Sequence, residues 1–122
     1  MFTSYFANIE NLPKDVIPVA ISQKVPAFYK GLRYMKLAPK ESILQEWKET
    51  HDDIDYIGQY TTLILDKQIP SNVIFELEKL AGTSSEKICL LCYEKPKDFC
   101  HRHLVSDWFK RSGFNCKEYE NP

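Results

Sequence analysis

An unbroken apolar run, Ile88 to Tyr93 (ICLLCY), is followed by the polar stretch Glu94 to Phe99 with Pro96, and then by an amphipathic segment beginning at Cys100. A short apolar run bounded by breakers reads as a strand buried on both faces. Such a strand must be covered on both sides, and the segment after it supplies a helix. Strand, loop and helix in that order are the repeating unit of α/β folds, where sequential strands run parallel. This passage therefore favours an α/β domain.

The rest of the chain fits the same plan. Met1 to Ala7 predicts a first strand, and Asn8 to Asp15 a turn with Pro13. Val16 to Ile21 predicts a second strand, with Pro18 pointing to an edge or a strand start. Ser22 to Pro39 is irregular, with one helical turn at Ala27 to Lys30. Pro39 opens a helix to Thr50 with Ile43, Leu44 and Trp47 on one face. Asp52 and Asp53 suit the start of the next helix, where carboxylates meet the positive dipole end. Its apolar stripe is Ile54, Ile57, Thr61, Ile64 and Leu65. Pro70 to Ala81 predicts a third helix stopped by Gly82. A last helix, Cys100 to Ser112, ends at Gly113, and a final strand lies near Asn115 to Tyr119. The expected architecture is one small three-layer, Rossmann-like α/β domain with a mostly parallel sheet of four or five strands. The strand order is unreadable.

At 122 residues and 43% apolar the chain can bury a real core, which excludes a disordered protein. A net charge of −1 gives no global attraction to nucleic acid or to an anionic membrane. No run approaches the roughly 18 apolar residues of a membrane span. The first residues, MFTSYFANIENLP, lack the basic start and apolar core of a signal peptide. A cytosolic chain is expected, with Cys89, Cys92, Cys100 and Cys116 as thiols.

Chemistry concentrates where the Ile88–Tyr93 strand meets the last helix. In parallel α/β sheets, ligands collect beyond the carboxyl ends of the strands. Asp98 suits the N-cap, placing Cys100, His101 and Arg102 in the first turn, where free amides and the helix dipole favour an anion. Arg102 adds a planar charged fork suited to phosphate or carboxylate. His101 falls in line with Leu104, Val105 and Trp108 on the inward stripe, and His103 faces water. His101 serves either as acid or base, or as a capped core histidine. Cys92 ends the strand on the face opposite Cys89 and Tyr93. A thiol near a helix N-terminus and cations can act as a nucleophile. Cys89 and Cys116 read as packing thiols, whereas Cys92 and Cys100 stay open between packing and chemistry. Glu94 is placed to act as a base, to orient His101, or to pair with Lys95 or Lys97.

Three alternatives bear on these residues. A cysteine phosphatase needs a glycine-containing phosphate loop between nucleophile and arginine, and no glycine separates Cys92 from Arg102. Zinc has ligands of the right type in Cys92, Cys100, His101 or His103, and Cys116, but structural zinc draws on close ligand pairs, and no metal set is assigned. A Cys92–Cys100 redox pair requires the intervening loop to fold back. Elsewhere, Tyr29 and Arg33 lie in YKGLRY, which mixes aromatics and cations. That segment either holds a nucleotide base and phosphate or covers the sheet. Asp52, Asp53 and Asp55 read as a solvated helix start, and Lys36, Lys40 and Lys48 as surface charges.

The segment LLCYEKPKDFCHRHLVSDWF resembles the signature of domain-of-unknown-function family 488, a strand ending in a cysteine and an acidic residue followed by Cys-His-Arg at a helix start. Leu91, Cys92, Glu94, Cys100, His101 and Arg102 match it position by position. FTSYFANIENLP, KGLRYMKLAPK and WKET resemble a compact subgroup, so the resemblance spans essentially the whole chain. It implies a cytosolic α/β domain with a site at these residues, and names no substrate. Longer members begin with a strand followed by Gly-His-Ser, where this chain has Thr3-Ser4-Tyr5-Phe6, so a role for that histidine does not carry over.

The expected function is an anion site for a nucleotide or phosphorylated metabolite. Cys92, Glu94, Cys100 and His101 are its candidate catalytic residues, and Arg102, Tyr29 and Arg33 its candidate ligand-binding residues. The alternatives are a non-catalytic nucleic-acid- or protein-binding module, with a basic face at Lys95, Lys97, Arg102, Lys110 and Arg111, and a cysteine/histidine metal or redox site. No cofactor is indicated.

Overall fold

The computed structural model describes residues 1–94 and 99–122. Its sheet has five strands, all parallel: β1 Phe2–Tyr5, β2 Ile17–Ala20, β3 Leu32–Arg33, β4 Ile88–Cys92 and β5 Lys117–Glu118, in the order β3-β2-β4-β1-β5. The helices are α1 Glu41–Thr50, α2 Asp53–Tyr60, α3 Pro70–Ala81 and α4 His101–Arg111. β4 is fully buried and paired on both sides, as its uninterrupted apolar sequence requires.

Alternation along the strands separates two cores. Val19, Ile21, Ile88 and Leu90 join the inward faces of all four helices, through Ile43, Tyr56, Tyr60, Val73, Ile74, Leu77, Val105 and Phe109. Ala20, Cys89 and Leu91 face the other way, onto Phe6, Val16 and Tyr29. That second layer is thin. It consists of the 3-10 turn Phe6–Asn11 and the loop after β2, so the three layers are of unequal depth.

Local deviations from the sequence reading have physical causes. Pro18 sits in an interior strand, yet β3 begins only opposite Val19. Ala20 turns its carbonyl to the β3 side, so alternation puts the missing Pro18 N–H on that same side, where no ladder bond is lost, and Tyr29 Oη donates to the Pro18 carbonyl at 3.3 Å. The expected stripe of α2 is wrong at its start, since Ile54 is 83% exposed and Ile57 is exposed too. Tyr56 and Tyr60 take the inward face instead, and a π-helical turn over Thr61–Leu65 re-phases the chain so that Ile64 and Leu65 are buried. Asp52 caps α2 by accepting from the Asp55 N–H at 3.0 Å, the helix-start role expected of it. Gly82, at φ 69°, ends α3 in the left-handed conformation.

Candidate functional site: a two-cysteine pocket at the sheet crossover

β2 and β4 are neighbours, but the chain leaves their carboxyl ends in opposite directions. After β2 it passes over the thin face to β3, and after β4 it passes through α4 on the helical face to β5. Adjacent strands with diverging connections leave a crevice between them. A pocket of about 200 Å³ lies there, lined by Ser22, Gln23 and Lys24 after β2, by Cys92, Tyr93 and Glu94 after β4, and by Phe99, Cys100 and His101 entering α4. Helices α1 and α2 close it with Trp47 and Tyr56.

Both sulfurs at this crevice come from backbone geometry. Cys92 is the last residue of β4 and points to the helical face. Cys100 is the N-cap of α4 in extended conformation (φ −154°, ψ 144°), one residue before the helix proper. Cys92 and Cys100 are joined by a disulfide bond. This corrects the expectation of four thiols: only Cys89 and Cys116 are free, and both are buried. Asp98, the expected N-cap, lies outside the described residues, as do Lys95 and Lys97, and the helix begins at His101 rather than Cys100. Cys89 and Cys92 also stand in CxxC spacing, but residues three apart on a strand face opposite sides, so that spacing brings no sulfurs together here.

His101 is buried against the same pair. One ring nitrogen, Nε2, lies 2.6 Å from the Ile21 carbonyl, and Nδ1 lies 3.7 Å from Cys100 Sγ. A carbonyl only accepts, so Nε2 carries the proton and donates, leaving the Nδ1 lone pair facing sulfur. Burial, joined by the charge of Arg102 and a smaller influence of His103, lowers the His101 pKa to about 4, against the opposing pull of the Ile21 hydrogen bond. The imidazole is therefore neutral near pH 7. The two sulfurs and a His101 ring nitrogen all lie within 4.8 Å of one another.

Arg102 points elsewhere. It is 0% exposed and does not line the pocket. Its Nε and Nη2 donate to the two Glu118 carboxylate oxygens at 3.0 and 2.9 Å. Nη1 donates to the Glu94 carbonyl at 2.5 Å and to Cys92 Sγ at 3.1 Å. The guanidinium also lies over the Tyr5 ring. A buried cation survives only when paired and hydrogen-bonded in this way. Its fork, which the sequence suggests for a ligand, is occupied by the protein, and what it supplies to the pocket is a charged donor behind Cys92.

Aromatic rings wall the remaining space. Trp47 stacks on Phe99 at 5.8 Å, and Tyr56 meets Phe99 edge-on at 4.8 Å. Trp47 Nε1 donates to Asp53 at 2.7 Å, which fixes the indole. Glu94 is exposed at the rim, and its charge adds to burial in raising the Tyr56 phenol pKa. Of the candidate residues, Cys92, Glu94, Cys100 and His101 meet at this pocket, and Tyr29 and Arg33 do not. Tyr29 is buried in the thin layer against Phe6, its Oη hydrogen-bonded to the Leu32 and Pro18 carbonyls. Arg33 is exposed, and its Nη2 donates to the Gln23 carbonyl at 2.6 Å, bracing the loop that carries Ser22 to Lys24. His103 is half-buried outside the pocket lining. Sequence reasoning missed Ser22, Gln23, Lys24, Lys48 and Tyr56. Only the position of Ser22 to Lys24, just past the end of an apolar strand, could have signalled any of them.

The fold and the site thus define a small parallel α/β domain with a disulfide-lined pocket at its switch point. The family model DUF488-N3a, described as the active DUF488-N3 subclade, matches residues 13–113, and the chain belongs to this family. No curated protein and no solved structure matches the chain. Among the described residues, no helix is long and apolar enough to cross a membrane.

Proposed function

We propose that the pocket is a thiol-based catalytic site in which Cys92 and Cys100 cycle between dithiol and disulfide while reducing a small disulfide-containing substrate. The observation that carries this reading is the meeting of both sulfurs, already bonded, in a pocket that also holds His101 and is backed by Arg102. Cys92 is the attacking sulfur, because a permanent cation donates to it and favours the thiolate. Its sulfur bonds to one sulfur of the substrate disulfide, and the first substrate thiolate leaves. Cys100 then attacks Cys92 Sγ, its thiol proton passing by way of His101 Nδ1, which faces it, to the departing second thiolate. The products are two substrate thiols and the Cys92–Cys100 disulfide. Two equivalents of a small thiol restore the dithiol, and a cytosolic setting would supply them.

The pocket suits a compact substrate with an apolar or planar body against Trp47, Tyr56 and Phe99. Lys24 and Lys48 at the rim support an anionic group on it, keeping a nucleotide-like or carboxylated molecule within the ligand class. With Arg102 saturated by Glu118, the anion role passes to those lysines. The test is to treat reduced Cys100→Ser protein with glutathione disulfide and read the intact mass. The expected result is a mixed disulfide trapped on Cys92, whereas reduced wild type passes on to the internal disulfide. Failure of Cys100→Ser to form the adduct, or an adduct on Cys89 or Cys116 instead, rejects the assignment.

A further inference from the structure

From the same three side chains we infer a second capacity: in the dithiol state, Cys92, Cys100 and His101 bind a thiophilic divalent cation of the zinc class. The inference shares residues with the thiol–disulfide reading but does not rest on it, because a metal chelate requires only the reduced sulfurs. It stands on geometry. With the disulfide formed, the two sulfurs and a ring nitrogen lie within 4.8 Å of one another. Once it is reduced, small side-chain movements that part the sulfurs suit a single ion with metal–sulfur distances of about 2.3 Å and metal–nitrogen distances of about 2.0 Å.

The surroundings prepare each ligand. Metal-bound histidines typically donate their other ring N–H to a carbonyl or carboxylate, which fixes the tautomer and aims the free nitrogen. His101 does this already, with Nε2 donating to the Ile21 carbonyl at 2.6 Å and Nδ1 facing Cys100. That carbonyl is anchored in turn, since the Ile21 N–H is held by the Leu91 carbonyl at 3.0 Å. Cys92 Sγ accepts from Arg102 Nη1, and N–H donors stabilise thiolate ligands. The charges also balance. Two thiolates neutralise a dication, and Glu118 neutralises Arg102. Binding releases two thiol protons to solvent.

Three protein ligands leave a coordination position directed into the pocket, the arrangement of catalytic rather than structural zinc sites. Glu94 and Tyr56 line the same pocket, so an exogenous donor entering it would pass both. Ligand choice is specific. Cys89 and Cys116 are excluded by the sheet and the helical core, although the former stands in CxxC spacing with Cys92. The ion and the disulfide exclude each other, because both need the same two sulfurs.

The experiment is cobalt(II) titration of the full chain, kept reduced with a non-thiol phosphine under argon, followed by competition with zinc(II). The expected result is one cobalt per chain with thiolate-to-cobalt charge-transfer absorption and the visible bands of a tetrahedral site, displaced by zinc. Cys92→Ser and Cys100→Ser should each lose at least about 100-fold in affinity, and His101→Gln about 10- to 100-fold. Circular dichroism on each variant separates ligand loss from misfolding, and Cys116→Ala, away from the pocket, should bind like wild type. Absence of the charge-transfer band in reduced, folded wild type overturns the inference, as does binding unchanged in Cys92→Ser and Cys100→Ser. Glutathione-disulfide oxidation of the same protein, after the phosphine has been removed, keeps the two readings apart. Cobalt binding without disulfide formation rejects only the redox reading, and disulfide formation without cobalt binding rejects only the metal site.

Discussion

Cys92 and Cys89 lie on the same strand, yet they occupy different chemical worlds. Cys89 faces the thin layer among Phe6, Ala20, Tyr29 and Leu91, where burial pushes its thiol pKa far above the ordinary value. Cys116, in the helical core, is pushed up by burial as well. Cys92 faces the crevice at the switch point, touches the Arg102 guanidinium and reaches Cys100. Burial is nearly complete for both residues of β4, so burial does not distinguish them. What differs is the neighbour: apolar side chains for Cys89, and a charged donor, a second sulfur and a histidine for Cys92. The contrast teaches that a strand at a crossover can supply packing from one face and chemistry from the other within a few residues.

The contrast can be broken most severely at Arg102. Arg102→Met removes the cation behind Cys92, takes the guanidinium donor from the Glu94 carbonyl and Cys92 Sγ, and leaves the Glu118 carboxylate with the Thr3 hydroxyl but no countercharge. Losing one partner of a buried pair costs on the order of 3–5 kcal/mol, so urea unfolding should show a loss in that range. A loss under about 1 kcal/mol would mean that the guanidinium is not what holds this end of β4.

Acid should act next. His101 is neutral when folded, with a pKa lowered from 6.5 to about 4 chiefly by burial. The unfolded chain takes up a proton at higher pH than the native one, so stability is fully present above pH 6.5 and falls as pH drops toward about 4. In metal-free protein the loss over that window should be roughly 3 kcal/mol, and His101→Gln should flatten it. An unchanged slope in the variant would assign the acid sensitivity to other groups.

Substitution of the cysteines themselves sharpens the comparison. Cys89→Ser places a hydroxyl in an apolar layer and should cost about 1–3 kcal/mol while leaving Cys92–Cys100 disulfide formation intact. Cys92→Ser should do the reverse. It should abolish disulfide formation, while reduced protein loses less than about 1.5 kcal/mol, since the serine oxygen can still accept from Arg102. The smallest effect belongs to Glu94→Gln, at an exposed rim position. Stability should change by under about 0.5 kcal/mol, with the Tyr56 phenol, read by ultraviolet titration, moving back toward its ordinary pKa. A stability change in Glu94→Gln as large as that in Arg102→Met would place Glu94 in the structural frame instead.

The sequence carried β4, α3, α4 and the parallel plan because their signals are local: an apolar run, a Pro–Gly bracket, a periodic stripe. It carried the face of Cys92 through simple alternation. Other features depend on partners remote in the chain. Arg102 reads as a ligand fork until Glu118 is seen to occupy it, and nothing local to Glu118 reveals that pairing. Ile54 and Ile57 have the right spacing for a buried stripe, but Tyr56 and Tyr60 win the inward face, and Tyr60 Oη reaches the Leu37 carbonyl there at 2.5 Å. The loop Ser22 to Lys24 becomes part of the pocket only because β2 lies beside β4, a neighbourhood set by strand order. Lys48 reads as a surface charge and is exposed, yet it stands at the pocket rim.

The most direct test of the division between the two cysteine pairs is differential alkylation read by peptide mass spectrometry. Native protein is labelled before and after mild reduction, then denatured and labelled again. Before reduction, no cysteine should label in the native state. After reduction, Cys92 and Cys100 should label, with Cys92 the faster, while Cys89 and Cys116 take label only on denaturation. Equal labelling of all four in the native state, or labelling of Cys92 and Cys100 as thiols throughout in air-oxidised protein, would contradict the account.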